Sequence, residues 1–136
     1  MSRRPELIVF RGLPGSGKTY RARQMIKQDK AVRVNKDLLR EMMFFDYSTE
    51  NEIKVKWLEA QIAGTLIRSR LTVLVDDTNL KSADIEFWKD LANDLDVPVF
   101  IEFIDTPLET CIERDGKRMY PVGETRIREM AEGMEK

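Results

Sequence analysis

An α/β fold, with a mostly four-stranded parallel sheet covered by helices on both faces, is predicted by three observations. Short β-rich runs alternate with helical patterns along the chain, which is the order that builds parallel sheets. A glycine-rich loop, Gly12-Leu13-Pro14-Gly15-Ser16-Gly17-Lys18-Thr19, joins the first such run to the first helical pattern. With 136 residues, 42% of them hydrophobic, the chain suffices for one core and predicts a single domain over 1–136.

Strands are expected at 6–11, 31–34, 71–75 and 98–104, and helices at 18–29, 36–45, 50–69, 82–95, 107–115 and 123–134. Leu7 to Phe10 is an unbroken apolar run of the length of a buried strand. In the third helix Val55, Leu58, Ile62 and Leu66 recur on one face, and Thr49 with Glu52 reads as a capping box. The fourth helix repeats the pattern with Ile85, Trp88, Leu91 and Leu95 behind Ser82. The fifth reads as Thr106 at the N-cap, Pro107 at the first helical position and Glu109 three residues after the cap. These stripes are core positions.

The formal charge of −1 is unevenly spread. Residues 1–40 hold eleven Lys and Arg against three Asp and Glu, whereas 41–109 hold six against fifteen. A positive block around the glycine-rich loop suits a polyanionic ligand. No histidine is present, so acid–base work falls to carboxylates or lysine and His-dependent triads are excluded. The single cysteine, Cys111, excludes an internal disulfide and a cysteine-rich zinc site, and reads as an inert thiol. No apolar stretch approaches the ~20 residues of a membrane span and no signal-peptide core precedes the first strand, which predicts a cytoplasmic, intracellular protein.

The loop fits G-x-x-x-x-G-K-[ST]. Gly12, Gly15 and Gly17, with Pro14 and Ser16 between them, let successive backbone N–H groups converge on a phosphate at a helix N-terminus. Lys18 then reaches the β- and γ-phosphates of ATP or another nucleoside triphosphate, and the Thr19 hydroxyl ligates Mg²⁺.

In open parallel sheets ligands sit beyond the carboxyl ends of the strands. After the second strand, Asp37 and Arg40 stand three residues apart at the start of a helix. Asp37 can accept the proton of an attacking hydroxyl while Arg40 grips a phosphate of that substrate. After the third strand come Asp76-Asp77-Thr78-Asn79; Asp77 or Asp76 can hold Mg²⁺ or its waters, or one of them can orient Arg40. The pair lacks the acids two apart that an aspartyl-phosphate phosphatase needs. After the fourth strand and its helix, Arg114-Asp115-Gly116-Lys117-Arg118-Met119-Tyr120-Pro121 reads as a mobile basic lid whose arginines swing over the triphosphate.

The order G-x-P-G-S-G-K-T, N-K-D-x-x-R, D-T-N-L and a late basic R-x-x-x-R loop resembles the kinase domain of bacteriophage-type polynucleotide 5′-kinases over nearly the whole chain. That resemblance implies a P-loop NTPase-type kinase fold, ATP and Mg²⁺ as cofactors, a DNA or RNA 5′-hydroxyl end as acceptor, and a phage or bacterial host cytosol. It implies that Lys18 and Thr19 serve ATP and Mg²⁺, that Asp37 is the general base and that Arg40 grips the acceptor's adjacent phosphate. Asp77 matches the acid of the family's D-T-N segment, at once a metal and a substrate position, while Arg118 and Arg114 match its lid arginines. Of that family's bifunctional enzyme, only the kinase half is matched. The alternative is a small-molecule or nucleotide-sugar P-loop phosphotransferase of the zeta-toxin kind. A guanine-specific switch would need Asp at position 38 and has Leu38.

Overall fold

The computed structural model describes residues 4–29 and 31–134. Its sheet comprises β1 (Leu7–Arg11), β2 (Val32–Val34), β3 (Val73–Val75) and β4 (Val99–Phe103), all parallel, in the order β2-β3-β1-β4. The central β1 pairs Leu7 with Val73 on one side and with Val99 on the other. Six helices connect and cover these strands: α1 (Lys18–Asp29), α2 (Lys36–Met43), α3 (Thr49–Arg68), α4 (Ser82–Asp94), α5 (Leu108–Gly116) and α6 (Glu124–Glu132).

Alternation along the strands divides the core. Leu7, Val9, Val73 and Val75 face Ala63, Ile67, Trp88 and Ala92 of α3 and α4. Phe10 and Leu74 turn the other way, onto Ala22 and Met25 of α1. A third cluster, Leu13, Leu80, Cys111 and Ile127, joins α5 and α6 to the loops at the carboxyl end of the sheet. The expected stripe of α4 is its packing face, with Trp88 buried and Ile85, Leu91 and Leu95 beside it, whereas on α3 the buried row is Val55, Glu59, Ala63 and Ile67, with Ile62 and Leu66 at its flank; Cys111 is buried in the third cluster.

Helix ends differ from the expected ones for identifiable reasons. Ser48, not Thr49, caps α3, accepting from the Asn51 amide at 3.0 Å, because Glu52 is engaged elsewhere. At α4 the residue ahead of Ser82 is the cap: the Lys81 amide donates to Asp84 Oδ2 at 3.2 Å. Pro107 takes the cap position of α5, and the Thr106 hydroxyl instead donates to the Ser16 carbonyl at 2.7 Å. The third strand starts at Val73 rather than 71 because Leu71 closes α3, its amide bonding back to the Leu66 carbonyl at 3.1 Å. Arg70 (φ 71°) and Asp96 (φ 53°) accordingly take the left-handed position that ends α3 and α4, where glycine is commoner. Among the described residues no helix is long and apolar enough to cross a membrane.

Candidate active site

The glycine-rich loop runs from the end of β1 into α1. Gly15 (φ 81°) and Gly17 (φ 105°) hold backbone conformations that cost other residues strain, and a Cβ on Gly15 would collide with the Cys111 carbonyl. Helix α5 is thus seated directly on the loop. The Ser16 carbonyl takes the Thr106 hydroxyl and, at 3.4 Å, Arg114 Nη1. Lys18 Nζ donates to the carbonyls of Gly12 and Leu13 at 2.9 and 2.8 Å. Burial lowers the Lys18 pKa to about 8, against the attraction of Asp76. An anionic ligand would raise it again.

At the mouth of the loop Thr19 Oγ1 donates to Asp76 Oδ2 at 3.0 Å. Asp76 Oδ1 is buried and has no hydrogen-bond partner. Thr19 and that bare oxygen are hard donors of the kind Mg²⁺ takes, and no larger His, Cys, Asp and Glu cluster exists among the described residues. Such a sparse set fits Mg²⁺, which keeps waters and substrate phosphates as its other ligands.

The acid matched from the motif at this position, Asp77, points elsewhere. Asp77 Oδ1 accepts from the Lys36 amide at 2.9 Å, and its carboxyl is hydrogen-bonded to Glu59. Neighbouring residues at the end of an extended strand project to opposite faces, so only one of the two acids can meet Thr19. It is Asp76. Nor does either aspartate hold Arg40. Glu59 is 1% exposed, and desolvation together with the Asp77 charge pushes its pKa up to about 11, so the proton of this buried pair resides on Glu59.

Helix α2 presents the second group. Asn35 caps it, accepting from the Leu38 amide at 2.9 Å and donating to the Asp76 carbonyl at 2.5 Å, which ties the helix start to the end of β3. Arg40 Nη1 donates to Asp37 Oδ1 at 2.8 Å. Glu52 of α3 clamps the same guanidinium with two bonds of 2.8 and 2.7 Å, and the Tyr47 ring lies 5.6 Å from it. The clamp raises the pKa of Arg40 and lowers that of Glu52. Arg40 is thereby held in place with donors to spare.

The basic segment is less interrupted than its sequence suggests. Helix α5 continues to Gly116, so Arg114 lies in its last turn and only the residues from Lys117 onward leave the helix. Asp115, 1% exposed, accepts from the amides of Val122 and Gly123 at 3.0 and 2.9 Å and sits 3.7 Å from Arg118.

A cleft of about 480 Å³ is lined by Lys18, Thr19, Asp37, Asp76, Arg114 and Arg118 together with Pro14, Gly15 and Gly17. Asp77 also lines it, whereas Gly12, Ser16 and Arg40 do not. Arg33, Glu52, Glu59 and Thr106 were not singled out by the motifs. Their partners lie 12 to 90 residues away in the chain, and no local pattern announces them.

Residues 7–136 match the protein family described as an AAA domain. The chain is 33% identical over 122 residues to a probable adenylyl-sulfate kinase of Pseudomonas aeruginosa, covering 84% of this chain and 55% of that protein. It is 28% identical over 98 residues to a bifunctional polynucleotide phosphatase/kinase of Schizosaccharomyces pombe, covering 72% and 21%. Among solved structures, the Pnkp1/Rnl/Hen1 RNA repair complex contains a chain that superposes with a TM-score of 0.82 at 24% identity, over 97% of this chain and 44% of that one. The Mycobacterium tuberculosis APS kinase CysC, in complex with AMPPNP and APS, gives 0.69 at 26% identity, over 84% and 70%. The chain spans about half or less of the curated relatives it matches.

Proposed function

Given that the chain belongs to the AAA domain family, a P-loop α/β fold, we propose that it is a polynucleotide 5′-hydroxyl kinase, transferring the γ-phosphate of ATP or another nucleoside triphosphate to the 5′-OH of DNA or RNA. The observation that carries this reading is Asp37 on the lining of the cleft, paired with Arg40 just outside that lining. A 5′-terminal nucleotide brings its own 3′-phosphate next to the reacting hydroxyl. An acid and an arginine 2.8 Å apart match that pairing of hydroxyl and phosphate.

Asp37 takes the hydroxyl proton as the oxygen attacks the γ-phosphorus and the bond to the departing nucleoside diphosphate breaks. A carboxylate suffices, because phosphoryl transfer passes through a loose transition state in which positioning matters more than base strength. Arg40, fixed by Glu52, exchanges its Asp37 contact for the acceptor phosphate. Lys18, Arg114 and Arg118 neutralise charge developing on the transferred group. Thr19 and Asp76 would hold Mg²⁺, which would supply charge neutralisation at the phosphates.

The likeness to adenylyl-sulfate kinases favours a second reading, in which the acceptor is a small nucleotide. Labelled γ-phosphate transfer to four acceptors separates them: a 5′-OH oligonucleotide, adenosine 3′-monophosphate, adenosine and adenylyl sulfate. The oligonucleotide and the 3′-monophosphate are expected to be phosphorylated, with adenosine a poor acceptor. Equal kcat/KM for adenosine and its 3′-monophosphate, or transfer to adenylyl sulfate alone, would overturn the polynucleotide reading.

A further inference from the structure

Arg33 is the odd residue of its strand. β2 is three residues long, and its flanking Val32 and Val34 face the cluster beneath α3 and α4. Arg33 points to the opposite face, level with Leu74 of the apolar cluster under α1. Its side chain, 19% exposed, climbs from there to the carboxyl end of the sheet. There Nε donates to Asp76 Oδ2 at 2.6 Å and Nη2 approaches Thr19 Oγ1 at 3.4 Å. Since Thr19 donates to the same Oδ2, that oxygen is saturated from two sides while Oδ1 is left bare.

Two consequences follow from this geometry. The carboxylate cannot rotate without losing both donors, so Oδ1 keeps one orientation. Its negative charge is also balanced by a guanidinium at contact distance, so a divalent cation meets a neutral hydroxyl and a compensated acid. Such a site attracts a cation weakly until further anionic oxygens join it. A triphosphate held by the neighbouring loop brings those oxygens.

We propose that Arg33 is a positioning residue that makes divalent-cation binding conditional on the nucleotide, by orienting Asp76 and offsetting its charge. This rests on the reading that Thr19 and Asp76 hold the metal, and it does not depend on which acceptor is phosphorylated.

The test uses Mn²⁺ as a paramagnetic probe, titrated against the full chain with and without a non-hydrolysable ATP analogue. Wild-type protein is expected to bind Mn²⁺ weakly alone and much more tightly with the analogue. Arg33→Gln keeps hydrogen-bond donors without the charge, and should tighten Mn²⁺ binding in the absence of nucleotide by about tenfold. With Mn²⁺ affinity in the nucleotide complex unchanged, the nucleotide's enhancement shrinks by the same factor, and by linkage so does the enhancement of nucleotide binding by Mn²⁺. Arg33→Lys should restore wild-type behaviour, and adding Asp76→Asn to Arg33→Gln should erase the gain. Unchanged or weaker Mn²⁺ binding by a cooperatively folded Arg33→Gln protein would overturn the proposal. Were that variant not to fold, wild-type protein binding Mn²⁺ equally well with and without the analogue would overturn it as well. Because the readout is metal affinity, an absence of phosphoryl transfer to polynucleotides would count against the acceptor assignment alone.

Discussion

Around the glycine-rich loop the functional side chains are sunk in the protein, each with a fixed partner, whereas α2, which carries Asp37 and Arg40, has no buried residue at all. Lys18 is 9% exposed and held by two carbonyls, while the Asp37 side chain is 73% exposed and held only by Arg40. The loop is clasped by β1, α1 and α5 together. Helix α2 is fastened at its start, through Asn35 and the amide of Lys36, and by the single Glu52 clamp. On the proposed reading, a donor end built into the core changes little without loss of the fold, whereas an acceptor end on a surface helix can be altered cheaply. That contrast is consistent with relatives named for acceptors as different as polynucleotides and adenylyl sulfate.

The comparison is broken most sharply by one substitution at each end. Lys18→Ala should reduce kcat/KM by about a thousandfold or more, with loss of nucleotide binding, since it removes a charge from both ground and transition states. Asp37→Asn should cost about 10²–10⁴ in kcat while calorimetry shows ATP affinity unchanged. Parallel loss of ATP affinity in the Asp37→Asn protein would mean that the two ends are not separate.

A smaller effect sharpens the acceptor side. Arg40→Ala should slow phosphate-bearing acceptors by about 10–100-fold, the value of a charge-assisted contact, and leave adenosine nearly unaffected. Uniform slowing of all acceptors would assign Arg40 to holding α2 against α3. The same experiment asks whether sequence preference at the 5′ end is low, as expected when phosphate is the group recognised.

The smallest effect concerns protonation at the donor end. With Lys18 lowered from 10.5 to about 8, the free folded protein sheds that proton around pH 8, while a bound triphosphate retains it to higher pH. ATP affinity should therefore be flat below pH 8 and fall above it, and binding at pH 8.5 should take up protons. Titrations in two buffers of different ionisation enthalpy measure this directly. The fold responds with the opposite sign, because the unfolded chain binds more protons in that window and stability rises with pH from about 8 to 10.5. No proton uptake at pH 8.5 would place Lys18 outside the phosphate site.

What the chain disclosed and what it withheld follow the same division. The strand, loop and helix at 7–29 were legible because a local pattern specifies them, and the apolar stripe of α4 was legible because packing enforces helical spacing. The choice between Asp76 and Asp77 was not, since it depends on the phase of a three-residue strand apolar on both faces. Glu59 reads as one more polar residue on a helix until Asp77, 18 positions later, is brought against it. Thr106 reads equally well as a cap, and only the folded chain places Ser16 within its reach.

The seat of α5 on the glycine-rich loop sets how the basic segment is tethered. With Gly15 against Cys111 and Ser16 bonded to Thr106 and Arg114, the first two turns of α5 and the loop are clasped together. Nothing crowds Gly116, and the segment beyond it is secured at its far end by Asp115. The basic segment 117–122 is thereby tethered at both ends, by the Lys117 and Arg118 amides on the carbonyls of Arg114 and Asp115 and by the Asp115 carboxylate at Val122. Of the three arginines lining the cleft, Arg33 stands on the sheet, Arg114 on the helix seated against the loop, and Arg118 on the tethered segment, paired with Asp115.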